Sequence, residues 1–183
     1  MRSASDHRKL VRTALLGALL SAVLSGGAGA QTTPVPATEA EAAAINMRLA
    51  ATLCLQSRRV PGQLAQSFEA AGFTVAPWLD AGTFEATAPG VYAVLDATQD
   101  QQGACNIQSQ LVDLPTARVI ADAITAGQNG WVAGGPADQI GAPPGPCQGL
   151  TNWDARPVLV ISFAAAGNSG ECIEDGTSSI VIN

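Results

Sequence analysis

The sequence predicts an α+β domain, with an antiparallel sheet of five to six strands and two to three helices packed on one face. Three observations carry this expectation. Apolar residues recur at helical spacing in 38–60, 62–71 and 114–126, whereas period-two alternation governs 83–97, 105–111, 158–166 and 178–182. The segments run helix, helix, strands, helix, strands, which is not the strict alternation of a parallel βαβ array. Glycine and proline mark the joints at Pro61-Gly62, Gly72, Pro89-Gly90 and Gly127.

The first helix is expected to begin at Thr38, because Thr38 and Glu41 have the spacing at which hydroxyl and carboxylate cap free backbone N–H groups. Ile45, Leu49 and Leu53 recur every four residues and predict its buried stripe. Arg58 and Arg59 are expected in its last turn, complementing the helix dipole, before Pro61-Gly62 ends it. A second helix over 62–71 places Leu64, Phe68 and Ala71 on one face and stops at Gly72.

Strand chemistry follows. Residues 73–78 alternate weakly, and 83–88 and 91–97 flank Pro89-Gly90 as a hairpin would. After a polar turn at 98–103, Cys105, Ile107, Ser109 and Leu111 alternate with Asn106, Gln108 and Gln110, the pattern of a sheet with one wet face. Trp78 and Tyr92 are assigned to the core or its rim. Asp113 caps a third helix over 114–126 with Ala117, Ile120, Ala121 and Ile124 inward. Residues 128–156 are rich in Gly and Pro without periodicity, and read as a long functional or surface loop. Strands 158–166 and 178–182 are expected to pair through a turn at 167–176.

The N-terminal residues read as an address. Arg2, Arg8, Lys9 and Arg12 precede the apolar run 13–24, which is too short to span a bilayer, and Ala28-Gly29-Ala30 completes a cleavage signature. The expectation is a secretory signal peptide over 1–30, a flexible Pro/Thr linker over 31–37, and a single domain over 38–183. No adjacent arginine pair precedes the apolar run, which points to the general secretory route. An Ala-rich cleavage region and few lysines give the leader a bacterial look, hence periplasm or medium.

Cleavage changes the chemistry. It removes His7, the one histidine, together with Lys9. Taking four cations and Asp6 away from nine cations and fifteen acids leaves five against fourteen, a formal charge of −9. Such a surface does not neutralise phosphates, so nucleic acid is excluded, and anionic membranes are disfavoured. A cationic protein is the electrostatically sensible partner.

The four cysteines, Cys54, Cys105, Cys147 and Cys172, lie beyond the cleavage site and are expected in disulfides. Four cysteines allow three pairings. The preferred one, Cys54–Cys105 with Cys147–Cys172, staples helix to sheet and long loop to final hairpin. Chain-entropy arguments give about 4 and about 3.5 kcal/mol for these two loops. No C-x-x-C motif supports redox catalysis, and without histidine a zinc site is poor.

Other chemistries fail for lack of parts. Gly167-Asn168-Ser169-Gly170-Glu171 resembles the surroundings of a serine-protease nucleophile, but no mature histidine or lysine can take the hydroxyl proton. Asp96 with Asp100, or Glu171 with Glu174 and Asp175, offer oxygens for calcium at spacings that match no known loop. Phosphate cradles lack their lysine, and no D-T/S-G pair exists. No cofactor and no metal is expected.

Trp131, Trp153 and Arg156 have the composition of interface anchors, although packing over the sheet is preferred for the two tryptophans. The reading is therefore a small exported, disulfide-stabilised acidic protein that binds rather than catalyses, as a binding or envelope accessory protein. Its sharper version is an inhibitor of a cationic hydrolase such as lysozyme. The alternative is a hydrolase working with two carboxylates.

Overall fold

Residues 38–98, 102–134, 147–167 and 172–183 are described in the structure, a computed structural model. The leader and linker expected over 1–37 lie outside them, as do parts of the turns at 98–103 and 167–176 and the middle of the 128–156 segment.

Among the described residues three helices, α1 (Glu39–Ser57), α2 (Leu64–Ala70) and α3 (Leu114–Thr125), accompany eight strands. The strands are β1 (Thr74–Pro77), β2 (Thr83–Ala88), β3 (Val91–Asp96), β4 (Ala104–Ser109), β5 (Trp131–Ala133), β6 (Leu150–Asn152), β7 (Leu159–Ala164) and β8 (Ser178–Ile182). They form one antiparallel sheet in the order β1-β2-β3-β4-β8-β7-β6-β5. The α+β architecture and the β7–β8 pairing match expectation.

The strand number corrects it, because the sheet has eight strands rather than five or six. The additional pair, β5 and β6, comes from the Gly/Pro-rich segment that reads as loop. Each is three residues long, too short to display any period, and β6 is recruited by burial: Leu150, Thr151 and Asn152 are all enclosed. The Thr151 hydroxyl donates to the Gly134 carbonyl at 2.6 Å, which satisfies it there.

Local chemistry sets the helix ends. Thr38 Oγ1 accepts from the Glu41 N–H at 3.1 Å, and Asp113 Oδ1 accepts from the Thr116 N–H at 2.9 Å. A hydrogen bond from the Thr116 side chain, with the one from its N–H, holds the Asp113 carboxyl below its ordinary range. Pro61–Gln63 forms a tight 3-10 turn into α2, so the expected second helix starts two residues late.

The buried face of α1 also differs from expectation. Ala43, Met47, Ala50, Ala51 and Cys54 are inside, whereas Ile45 is 45% and Leu49 is 36% exposed and Leu53 is only partly covered. Cys54 is bonded to Cys105 at the start of β4, with the Cα atoms 6.3 Å apart, and this turns the helix's small-residue side to the sheet. Small side chains let helix and sheet approach closely where larger ones would hold them apart. The closeness is visible at Gly90, where an added Cβ would lie 2.5 Å from the Ala43 Cβ.

Around this contact Leu64, Phe68, Leu95, Ile107, Leu114, Ile161, Phe163, Ile180 and Ile182 form one core. Each such side chain contributes about 1.5–3 kcal/mol on full burial. Phe68 and Phe73 meet edge to face at 5.1 Å. Ser178 donates to the Val112 carbonyl at 2.7 Å, so the core's hydroxyl is not orphaned.

Two smaller expectations are corrected here. Arg58 lies one residue past α1 and is 3% exposed; its Nη1 donates to Gln102 Oε1, while burial and the neighbouring Arg59 lower its pKa. It therefore does not complement the helix dipole from the last turn. Leu111 does not continue the β4 alternation, because the Ser109 hydroxyl accepts the Leu111 N–H at 3.1 Å, which bends the chain and leaves Leu111 exposed.

The second bridge, Cys147–Cys172, ties the residues before β6 to those before β8. Cys54 and Cys105 are sealed in the core, whereas Cys172 is exposed beside a buried Cys147. Thiol exchange needs access to sulfur. Limited reduction under native conditions, followed by alkylation and mass mapping, is expected to label Cys147 and Cys172 while Cys54 and Cys105 stay oxidised. Gly90 has φ +74. Gly90→Ala is expected to destabilise the fold by about 1–3 kcal/mol in urea unfolding, from backbone strain before the Ala43 clash is added.

Candidate functional site

The sequence-selected residues Trp131, Trp153 and Arg156 meet at one corner of the sheet, where β5 begins and β6 ends. The corner is built from backbone outward. Gly127 (φ +75) stops α3, and Gln128 folds back, its Nε2 donating to the Ile124 carbonyl at 2.6 Å. Gly130 comes next with φ +85, and a Cβ there would lie 2.6 Å from both Asn152 Oδ1 and Asp154 Oδ2. Only glycine fits that contact.

Asn152 organises the turn. It is buried, its Nδ2 donates to the Asn129 carbonyl at 3.1 Å, and its Oδ1 accepts from the N–H groups of Asp154 and Ala155 at 3.0 and 3.1 Å. The Trp153 N–H reaches the Gly130 carbonyl at 3.3 Å. Arg156 Nη1 donates to the Trp153 and Ala155 carbonyls at 2.5 and 2.8 Å. The guanidinium thus closes the turn.

The two tryptophans share the corner but not a surface. Trp131 opposes Asn152 across β5–β6 and is partly buried against the core, its indole N–H donating to Gln128 Oε1 at 3.4 Å. Trp153 stands 49% exposed on the outside of the turn, next to the exposed Asp154. Trp78 is 40% exposed at the end of the β1–β2 hairpin, a rim position, and Tyr92 is half-buried on β3.

Two residues that support the corner were not singled out by sequence. Asn152 has no sequence signal beyond being one of many polar loop residues. Arg118 on α3 donates to the Gln148 carbonyl beside Cys147, pairs with Asp122 at 3.0 Å, and lies 5.7 Å from the centre of the Phe163 ring. It fixes the approach to β6, and only the folded register reveals the partner.

Two of the candidate calcium carboxylates hold turns instead. Asp96 Oδ1 accepts from the Thr98 N–H and hydroxyl at 2.8 and 2.6 Å, and Asp175 Oδ1 from those of Thr177 at 2.9 and 2.6 Å. The Thr177 bonds hold the Asp175 carboxyl below its ordinary range. Asp100, Ser169 and Glu171, which complete the calcium and nucleophile alternatives, lie outside the described residues. Among the described residues no group of three or more His, Cys, Asp or Glu side chains is placed to hold a metal ion.

With the geometry in view, comparison with known proteins adds nothing further: no family model, no curated protein and no solved structure matches this chain. The class that fold and site define is a two-disulfide α+β domain with an aromatic turn at one corner. Its disulfides belong with maturation outside the reducing cytosol. Among the described residues no helix is long and apolar enough to cross a membrane.

Asn152→Ala would orphan two backbone N–H groups at a buried position. Calorimetry is expected to show a loss of about 1–3 kcal/mol. A change within error would remove Asn152 as the organiser of the turn.

Proposed function

We propose that this is a small exported binding protein whose Trp153 turn docks on a cationic partner protein. The observation that carries the reading is the presentation of Trp153. An indole half open to water stands on a turn whose backbone is pinned by Asn152, Gly130 and Arg156. A preorganised aromatic side chain loses little entropy on binding, and tryptophan is the side chain most enriched at energetic centres of interfaces. The partner's sign follows from the chain's own: its formal net charge is −6, and −9 once the leader is gone.

The inhibitor of a basic hydrolase such as lysozyme is the specific form of this proposal, acting in the periplasm or the medium after passage through the general secretory route. A carboxylate-dependent hydrolase would need two facing acids in one cleft, one of them desolvated. Of the three clefts described, with volumes of about 560, 420 and 240 Å³, only the second carries an acid, and that acid is the helix cap Asp113. No observation favours that alternative.

Titration of the leader-free protein against basic hydrolases is expected to give a salt-sensitive complex and loss of hydrolase activity. Trp153→Ala, at an exposed position, should keep the melting temperature and weaken the complex by roughly 30-fold or more, the scale of a central interface aromatic. Full hydrolase activity at micromolar excess, with no complex formed, would remove the proposal.

A further inference from the structure

The largest of the described clefts lies away from the Trp153 turn, where β2 and β4 end and β3 begins. We propose that this cleft binds a short uncharged oligosaccharide.

Its geometry comes from cross-strand register. Thr87 opposes Tyr92 between β2 and β3, and Tyr92 opposes Gln108 between β3 and β4, so hydroxyl, phenol ring and amide form a row on one face of the sheet. Ala88, Val91, Gln110 and Leu111 complete an open cleft of about 560 Å³, a size typical of small-molecule sites. No Asp, Glu, Lys, Arg or His lines it. A phosphate or carboxylate would find no counter-charge on these walls, so anionic ligands are not favoured.

What remains on the walls suits a sugar. The Tyr92 ring and Leu111 offer apolar surface for the C–H face of a pyranose. The side-chain amides of Gln108 and Gln110 each carry two donors and an acceptor, which matches neighbouring hydroxyls. Gln108 Oε1 accepts the Gly167 N–H at 3.0 Å, which orients the amide while leaving its Nε2 donors uncommitted among the described residues. Desolvation, and secondarily Glu85, raise the Tyr92 pKa, so the phenol is a neutral donor at physiological pH.

The walls are also set in advance. Gly90 packs on Ala43, and the Ser109 hydroxyl donates to the Gly90 carbonyl at 2.8 Å, joining the β2–β3 turn to the end of β4. A fixed cleft spares the ligand the cost of ordering loops.

Tyr92 is the chain's single tyrosine, so 3-fluorotyrosine labelling gives one fluorine resonance that reports on the cleft. Maltotetraose, cellotetraose and chitotetraose serve as neutral probes, with uronic-acid oligomers and indole as the charged and purely apolar comparisons. A neutral saccharide is expected to move the resonance saturably, at least tenfold more tightly than its uronic counterpart. In calorimetry Tyr92→Ala and the exposed Gln110→Ala should each weaken that saccharide by up to about tenfold, and Tyr92→Phe by less. Gln110→Ala keeps the test valid should Tyr92→Ala unfold. A resonance unmoved by every neutral saccharide, tighter binding of indole or uronic acids, or equal saccharide affinity in both alanine variants would overturn the proposal.

Discussion

Close contact between the small-residue face of α1 and the sheet is the constraint on which the rest of this structure depends. Ala43, Ala50 and Ala51 bring the helix down, and Cys54 bonds it to Cys105 at the foot of β4. Once that height is set, α3 has its place alongside, and Leu114, Ala117 and Ile120 reach the inner faces of β7 and β8. The β2–β3 turn passes beneath Ala43 only because residue 90 has no side chain. A larger residue on this face of α1 would raise the helix and open voids across the core, at a cost that scales with the cavity left.

Much of the fold was legible because its signals are local. Thr38 and Asp113 accept backbone N–H groups where the cap spacing places them, and Gly72 and Gly127 end helices in the left-handed conformation. Alternation located β2, β3, β4, β7 and β8 within two or three residues. The cysteine pairing is the one preferred from element positions. What failed, failed for a common reason. Ile45, Leu49 and Leu53 are larger apolar residues of an Ala-rich helix, and size suggested burial, but the face turned to the sheet is the Ala-rich one, with Met47 as its single long side chain. That selection is made by the partner surface, which periodicity within the helix does not encode. β5 and β6 are held by neighbours far away in sequence, and three residues give alternation nothing to act on.

The two candidate sites divide the same way. Trp153 and Arg156 lie three residues apart, so their association could be anticipated, and the guanidinium's bond to the Trp153 carbonyl is an intraturn contact. Trp131 packs against the core, as preferred for both tryptophans, whereas Trp153 departs from that preference and stands exposed. The row of Thr87, Tyr92 and Gln108 was invisible, since it exists only through the register of three strands. Asp96, Asp113 and Asp175 serve caps and turns, and no acid lines the Tyr92 cleft.

The position of β8 carries a consequence for biogenesis. It lies between β4 and β7, so it alone joins the half-sheet β1–β4 to the half-sheet β5–β7. It is also the last of the eight in sequence, and its Ile180 and Ile182 fill the middle of the core. Until those residues emerge, each half exposes an unpaired edge and an uncovered apolar side. The sheet therefore closes only once β8 is available, and a chain threaded across a membrane amino end first would keep that central place empty until β8 had crossed.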